Sequence, residues 1–122
     1  LRQNWNNFKI YVGNESFLLK NMQHGGDGCI SATANINPKA IKQLYLNWEK
    51  PDAQQKQEAL NVIRNETSKY PLIPAIKAIL AEFLSDDCWR NIRPPLNKLD
   101  KKLGKDLTKR LREHGLEINL YK

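Results

Sequence analysis

FKIYVGNESFLLKNMQHGGDGCISAT, residues Phe8–Thr33, is the stretch that decides the fold. Phe8–Val12 is dense in aromatic and β-branched residues and stops at Gly13, so it predicts a strand. From Glu15 to Gln23, Phe17, Leu18 and Met22 recur at helical spacing. His24-Gly25-Gly26 closes that helix, since a glycine past the last turn accepts the left-handed backbone a helix end requires. Residues 28–33, Gly-Cys-Ile-Ser-Ala-Thr, are small and uncharged and predict a second strand covered on both faces. Strand, helix and strand in so short a span form a βαβ unit, which demands parallel strands and a right-handed crossover.

Downstream the periodicity turns helical. Asn37-Pro38 opens a helix, with Asn as cap and Pro in the first turn. Ile41, Leu44, Tyr45 and Trp48 form its apolar stripe, and Pro51 ends it. Asp52 caps a second helix striped by Ala59, Leu60, Val62 and Ile63. Tyr70–Pro74 interrupts, and Ala75–Leu84, nearly all apolar, predicts the most buried helix, stopped at Ser85-Asp86-Asp87. Arg93-Pro94-Pro95-Leu96 must be extended. A last helix, Asp100 to His114, carries Leu103, Leu107 and Leu111 in line with Leu99 and stops at Gly115. Leu116–Tyr121 is expected to pack as an extended arm.

Composition excludes several classes. The chain has 122 residues, 40% of them apolar, and a net charge of +7 from 20 basic and 13 acidic side chains. Its mean hydropathy is −0.67. No window approaches the ~18 apolar residues of a membrane helix. The basic excess is spread over the helical part, with eight basic and four acidic residues in 97–122. That pattern reads as solvated helix faces, and only weak, non-specific nucleic-acid binding is expected. Cys29 and Cys88 have no metal spacing and form no cluster with His24 or His114, so reduced structural thiols and no metal are expected. Gly25-Gly26-Asp27-Gly28 closes a helix and opens a strand, the reverse of a phosphate loop, and reads as a tight turn needing positive φ. Ser16, Ser31, Ser68 and Ser85 lie in no nucleophile elbow. Gly13-Asn14-Glu15-Ser16 follows a strand and opens a helix, the place where α/β sheets and barrels bind ligands; capping of the helix is the competing reading.

Tyr11–Glu15 and His24–Ile36 together resemble the strand 7 and strand 8 region of the dihydrodipicolinate synthase family, the Schiff-base pyruvate aldolases that include N-acetylneuraminate lyase. Ile73–Leu80 is similar to the family's Ile-Pro-x-Lys segment, and Trp89–Leu96 to the linker before its last helix. The resemblance implies an α/β fold: the last two parallel strands of a (β/α)₈ barrel, with residues 1–50 as its last βαβα part and 51–122 as a mostly helical extension, together one partial domain. A full barrel takes about 250 residues, so a fragment is expected. The resemblance places the family's nucleophilic Lys on strand 6 and its proton-shuttling Tyr on strand 5, both before Leu1, so it implies no catalytic residue in this chain. Gly13 matches the glycine beside the substrate, and Ile30 the residue whose backbone carbonyl lies near pyruvate. Asn14 and Glu15 stand where the family has Asp-Asp. These four form the implied substrate-binding set. Further implications are a 2-keto acid substrate, no cofactor and no metal, association with the missing N-terminal barrel part, a homo-oligomer and a cytoplasmic location without a membrane. Two alternatives stand beside this reading: a truncated, non-catalytic member serving as a structural or binding module, and a basic helical nucleic-acid binder.

Overall fold

In the computed structural model, residues 7–118 are described. β1 (Tyr11–Val12) and β2 (Gly28–Cys29) pair in parallel, Tyr11 beside Gly28 and Val12 beside Cys29. Between them lie a 3-10 turn (Glu15–Phe17) and α1 (Leu18–Gln23). The parallel crossover expected from the sequence is therefore present. The strands are shorter than their composition suggested. Hydrogen bonds extend the pairing a little, from the Asp27 N–H to the Ile10 carbonyl (2.8 Å) and from the Ile30 N–H to the Val12 carbonyl (2.9 Å). Beyond Ser31 the backbone turns into a 3-10 segment, Ala32–Asn35, instead of continuing as strand through Thr33. The cause is local chemistry: Ser31 and Thr33 donate their hydroxyls to the Glu15 carboxylate, which bends the chain inward.

Four helices follow: α2 (Pro38–Leu46), α3 (Ala53–Thr67), α4 (Leu72–Leu84) and α5 (Lys101–Glu113), with a 3-10 turn at Asp87–Arg90. α2 ends at Leu46, ahead of Pro51. α4 starts earlier than expected and contains Pro74 as its third residue. The first four N–H groups of a helix have no partner within it, so a proline there sacrifices no hydrogen bond. Asn37 and Asp52 occupy N-cap positions without a side-chain capping bond. Asp52 instead pairs with Lys56 one turn on. Asn14, Asp86 and Asp100 do cap, the last through the Lys102 and Leu103 N–H groups at 2.9 and 3.2 Å. Ser85 leaves α4 in a left-handed conformation, φ 52°.

Two cores flank α3. Leu60 joins Leu18, Leu19, Ile41 and Leu44 in the first. Ile63 joins Ile36, Ile76, Ile79, Leu107 and Leu111 in the second, where α4 is the most buried element as its sequence predicts. Leu116 closes that core; residues 119–121 of the expected arm lie outside the described residues. α3 thus ties the βαβ unit to the C-terminal helices.

Surface ion pairs lace the helices together. Asp87 accepts from Lys101 and from Arg90, and Glu66 from Lys69 and Arg110. The Lys101 ammonium, then Arg90, holds the Asp87 carboxyl below its ordinary value, and Lys69, then Arg110, does the same for Glu66. A carboxyl whose folded pKa is depressed contributes stability above its ordinary pKa of about 4, and that contribution is lost as pH falls through the folded value. Thermal melts taken from about pH 5 downward should therefore show the melting temperature of Asp87→Asn falling less steeply than that of the parent. Parallel curves would remove Asp87 from the acid response.

Candidate functional site

The carboxyl ends of β1 and β2 bring the sequence-derived residues into one neighbourhood, in two different roles. Gly13 follows β1 directly and is exposed, with nothing within 4 Å of where a Cβ would sit. Ile30 follows β2 directly, is 75% exposed, and its N–H is bonded to Val12. These two form an open rim of backbone and apolar surface. Asn14 is the cap of the following turn, its Oδ1 accepting from the Ser16 N–H at 2.9 Å.

Glu15 faces the other way. It is 2% exposed, and its carboxylate accepts the Ser31 and Thr33 hydroxyls and meets Arg64 Nη1 at 3.4 Å. Ser31 Oγ lies 3.1 Å from Thr33 Oγ1 and 3.4 Å from the same guanidinium. A buried carboxylate is tolerated only when paired and hydrogen-bonded, and this one has both kinds of partner. Arg64 comes from α3, as does Gln57, whose side chain contacts the backbone of the same turn. Sequence reading missed both. A signal was available for Gln57: it sits one turn before Leu60 on the inward face of α3, where an uncharged polar residue implies a buried partner.

The amino ends of the strands are held by two further side chains. Asn21 Nδ2 donates to the Ile10 carbonyl (3.2 Å) and the Gly28 carbonyl (2.9 Å), bridging both strands. Asp27 accepts from the Ile10 N–H at 2.8 Å and pairs with Lys9 at 3.0 Å. Lys9 therefore lies at the amino end, remote from the rim. Lys77 is on α4, its Nζ 6.0 Å from the Trp89 ring centre. Burial, and secondarily the Glu15 charge, pushes the Cys29 thiol above its ordinary value, which keeps it protonated and poorly nucleophilic at neutral pH. His24 and His114 both stand at helix C-caps. Among the described residues no group of three or more His, Cys, Asp or Glu could hold a metal ion, and no helix is long and apolar enough to cross a membrane. The rim can offer backbone groups and walls to a ligand; it offers no nucleophile.

Comparison with known proteins gives the same outline. Residues 1–114 match the family model described as the dihydrodipicolinate synthetase family. A 4-hydroxy-tetrahydrodipicolinate synthase from Bradyrhizobium diazoefficiens is 38% identical over 45 residues, 37% of this chain and 15% of that protein. A probable 2-dehydro-3-deoxy-D-pentonate aldolase from Escherichia coli is 32% identical over 78 residues, 64% of this chain and 24% of that protein. The crystal structure of N-acetylneuraminate lyase from Fusobacterium nucleatum superposes with a TM-score of 0.80 at 26% identity, covering 95% of this chain and 40% of that one. The matched relatives are thus much longer than the part this chain spans, and the structural ones are TIM-barrel proteins.

Proposed function

The chain belongs to the dihydrodipicolinate synthetase family, and from that premise we propose that it is the C-terminal part of a Schiff-base-forming lyase or aldolase acting on pyruvate or a related 2-keto acid. The observation that carries the proposal is the rim itself. Gly13 and Ile30 stand side by side at the carboxyl ends of adjacent parallel strands, the end at which barrel enzymes bind their substrates. In this reading β1 and β2 are the last two strands of the barrel, residues 51–122 are its helical extension, Gly13 and Ile30 form its share of the substrate edge, and Asn14 and the inward-facing Glu15 support that edge from behind. Gly13 lets the keto acid approach the backbone, the Ile30 carbonyl borders it, and Asn14 and Glu15 shape the turn between them. A 2-keto acid substrate, a homo-oligomeric assembly and a cytoplasmic location belong to the same proposal.

The chemistry assigns the remaining parts. An amine must be unprotonated to attack a keto carbon; the imine then withdraws electrons from the bond that is made or broken. That requires a lysine whose pKa is lowered by burial or by a neighbouring cation. Lys9 is solvent-facing and paired with Asp27 at the amino ends of the strands, and Lys77 lies on α4 with its ammonium over the Trp89 ring. In this proposal the nucleophile is, as the family resemblance implies, a lysine on a strand outside this chain.

Two experiments test this. Incubated with pyruvate and borohydride, the 122-residue chain is expected to show no added mass; a stoichiometric increase mapped to one lysine would make that lysine catalytic and overturn the assignment. Joined behind the preceding part of the Fusobacterium N-acetylneuraminate lyase, in place of that enzyme's matched segment, the chain is expected to yield a protein that traps pyruvate on one lysine of the lyase part. A folded chimera that traps none favours a non-catalytic module.

A further inference from the structure

Helix α1 begins without a local cap: Phe17, at its N-cap, offers no side-chain hydrogen bond. Its cap comes from α3. Gln57 Oε1 accepts the Leu19 N–H at 2.9 Å, and Gln57 Nε2 donates to the Glu15 carbonyl at 3.0 Å. The amide therefore ties the start of the 3-10 turn that follows Gly13 and Asn14 to the first turn of α1. A bond of 3.0 Å from Nε2 to Asn61 Oδ1, one turn along α3, fixes which way the amide faces. Gln57 is 5% exposed, so the amide and its bonds are shielded from bulk solvent. Two turns further along α3, Arg64 grips the side chain of the same Glu15 whose carbonyl Gln57 holds.

We propose that Gln57 is a positioning residue: through the Glu15–Leu19 turn it sets the geometry of the Gly13–Ile30 rim, so that the helical extension dictates the shape of the substrate edge. What the edge binds rests on the keto-acid reading above; the positioning does not. The Glu15 carbonyl keeps the Leu18 N–H, but loss of the amide leaves the Leu19 N–H buried without its acceptor, which costs enough to open the turn locally.

The test is amide hydrogen exchange and NMR on the 122-residue chain. Gln57→Met keeps the length and apolar packing of the side chain and removes its hydrogen bonds. It should raise exchange at Ser16–Leu19 by about tenfold or more, shift the Gly13 and Ile30 amide resonances, and leave α4 and α5 protected. Ile63→Ala, on the same helix but in the other core, should weaken the C-terminal core without moving the Gly13 and Ile30 resonances. Unchanged exchange at Leu19 in Gln57→Met would overturn the proposal, as would the same local pattern in Ile63→Ala. Should Gln57→Met fail to fold, Asn61→Ala decides: it frees the amide to turn, and smaller changes at the same residues support the proposal while none refutes it. A chimera without pyruvate trapping, alongside the expected exchange pattern, counts against the keto-acid reading alone.

Discussion

Gly26→Ala is expected to destabilise the chain by about 2–3 kcal/mol, although the backbone at Gly26 is not left-handed and a glycine replaced in a compatible conformation usually adds about 0.4–1 kcal/mol of stability. The reason is Asn21. A Cβ on Gly26 would fall 2.2 Å from the Asn21 side-chain amide, an overlap that forces the amide away. That amide bridges the Ile10 and Gly28 carbonyls. Displacing it removes both of those bonds; the Ile10 carbonyl keeps the Asp27 N–H, but a sheet of only two strands loses the side chain that ties them together and has little ladder to spare. The double-mutant comparison identifies the mechanism. Asn21→Ala alone should cost about as much as Gly26→Ala, because both delete the same bridge. With Asn21→Ala in place, the atoms that Gly26→Ala would strike are gone, and adding it should be close to neutral. Urea unfolding of the two single variants and the double one measures this. Additive losses would show that the glycine serves some purpose other than admitting the asparagine.

That example shows where sequence reading stops. The glycine run was legible as a turn needing positive φ, and Gly25 and Gly28 have it, at 77° and 139°. Gly26 is there for a different reason, the approach of a side chain from the preceding helix, which no local pattern announces. The parallel βαβ unit and the helices were legible because apolar spacing, capping residues and prolines are local signals. The strand limits were over-read: Ser31 is still extended, but the chain enters a 3-10 segment at Ala32, with the Ser31 and Thr33 hydroxyls both on the Glu15 carboxylate across the turn. In the candidate site, Gly13 and Ile30 are proposed through resemblance to a family. Gln57 and Arg64 were missed, because their partners lie 42 and 49 residues away in sequence, and a contact at that range is fixed by packing of α3, not by any spacing.

Arg64→Leu should be the most damaging change near the rim, costing about 3 kcal/mol. Truncating one member of a buried ion pair leaves the other charge in a medium that cannot solvate it. The asymmetry of the pair decides which truncation is worse. Arg64 is 17% exposed at its side chain, so without Glu15 its guanidinium can reach water along its own stem. Glu15, at 2%, has no such route, and the Ser31 and Thr33 hydroxyls left to it are neutral donors. Adding Glu15→Gln to Arg64→Leu removes the stranded charge while keeping an amide oxygen for the two hydroxyls. The double variant should therefore be more stable than Arg64→Leu by about 1–2 kcal/mol, a gain from a second mutation that only a charge mechanism predicts. Denaturant midpoints of the parent, both single variants and the double variant settle the point. If the double variant is no more stable than Arg64→Leu, then Arg64 acts by filling space, and the carboxylate's place behind the strand ends is secured by the hydroxyls of Ser31 and Thr33 alone.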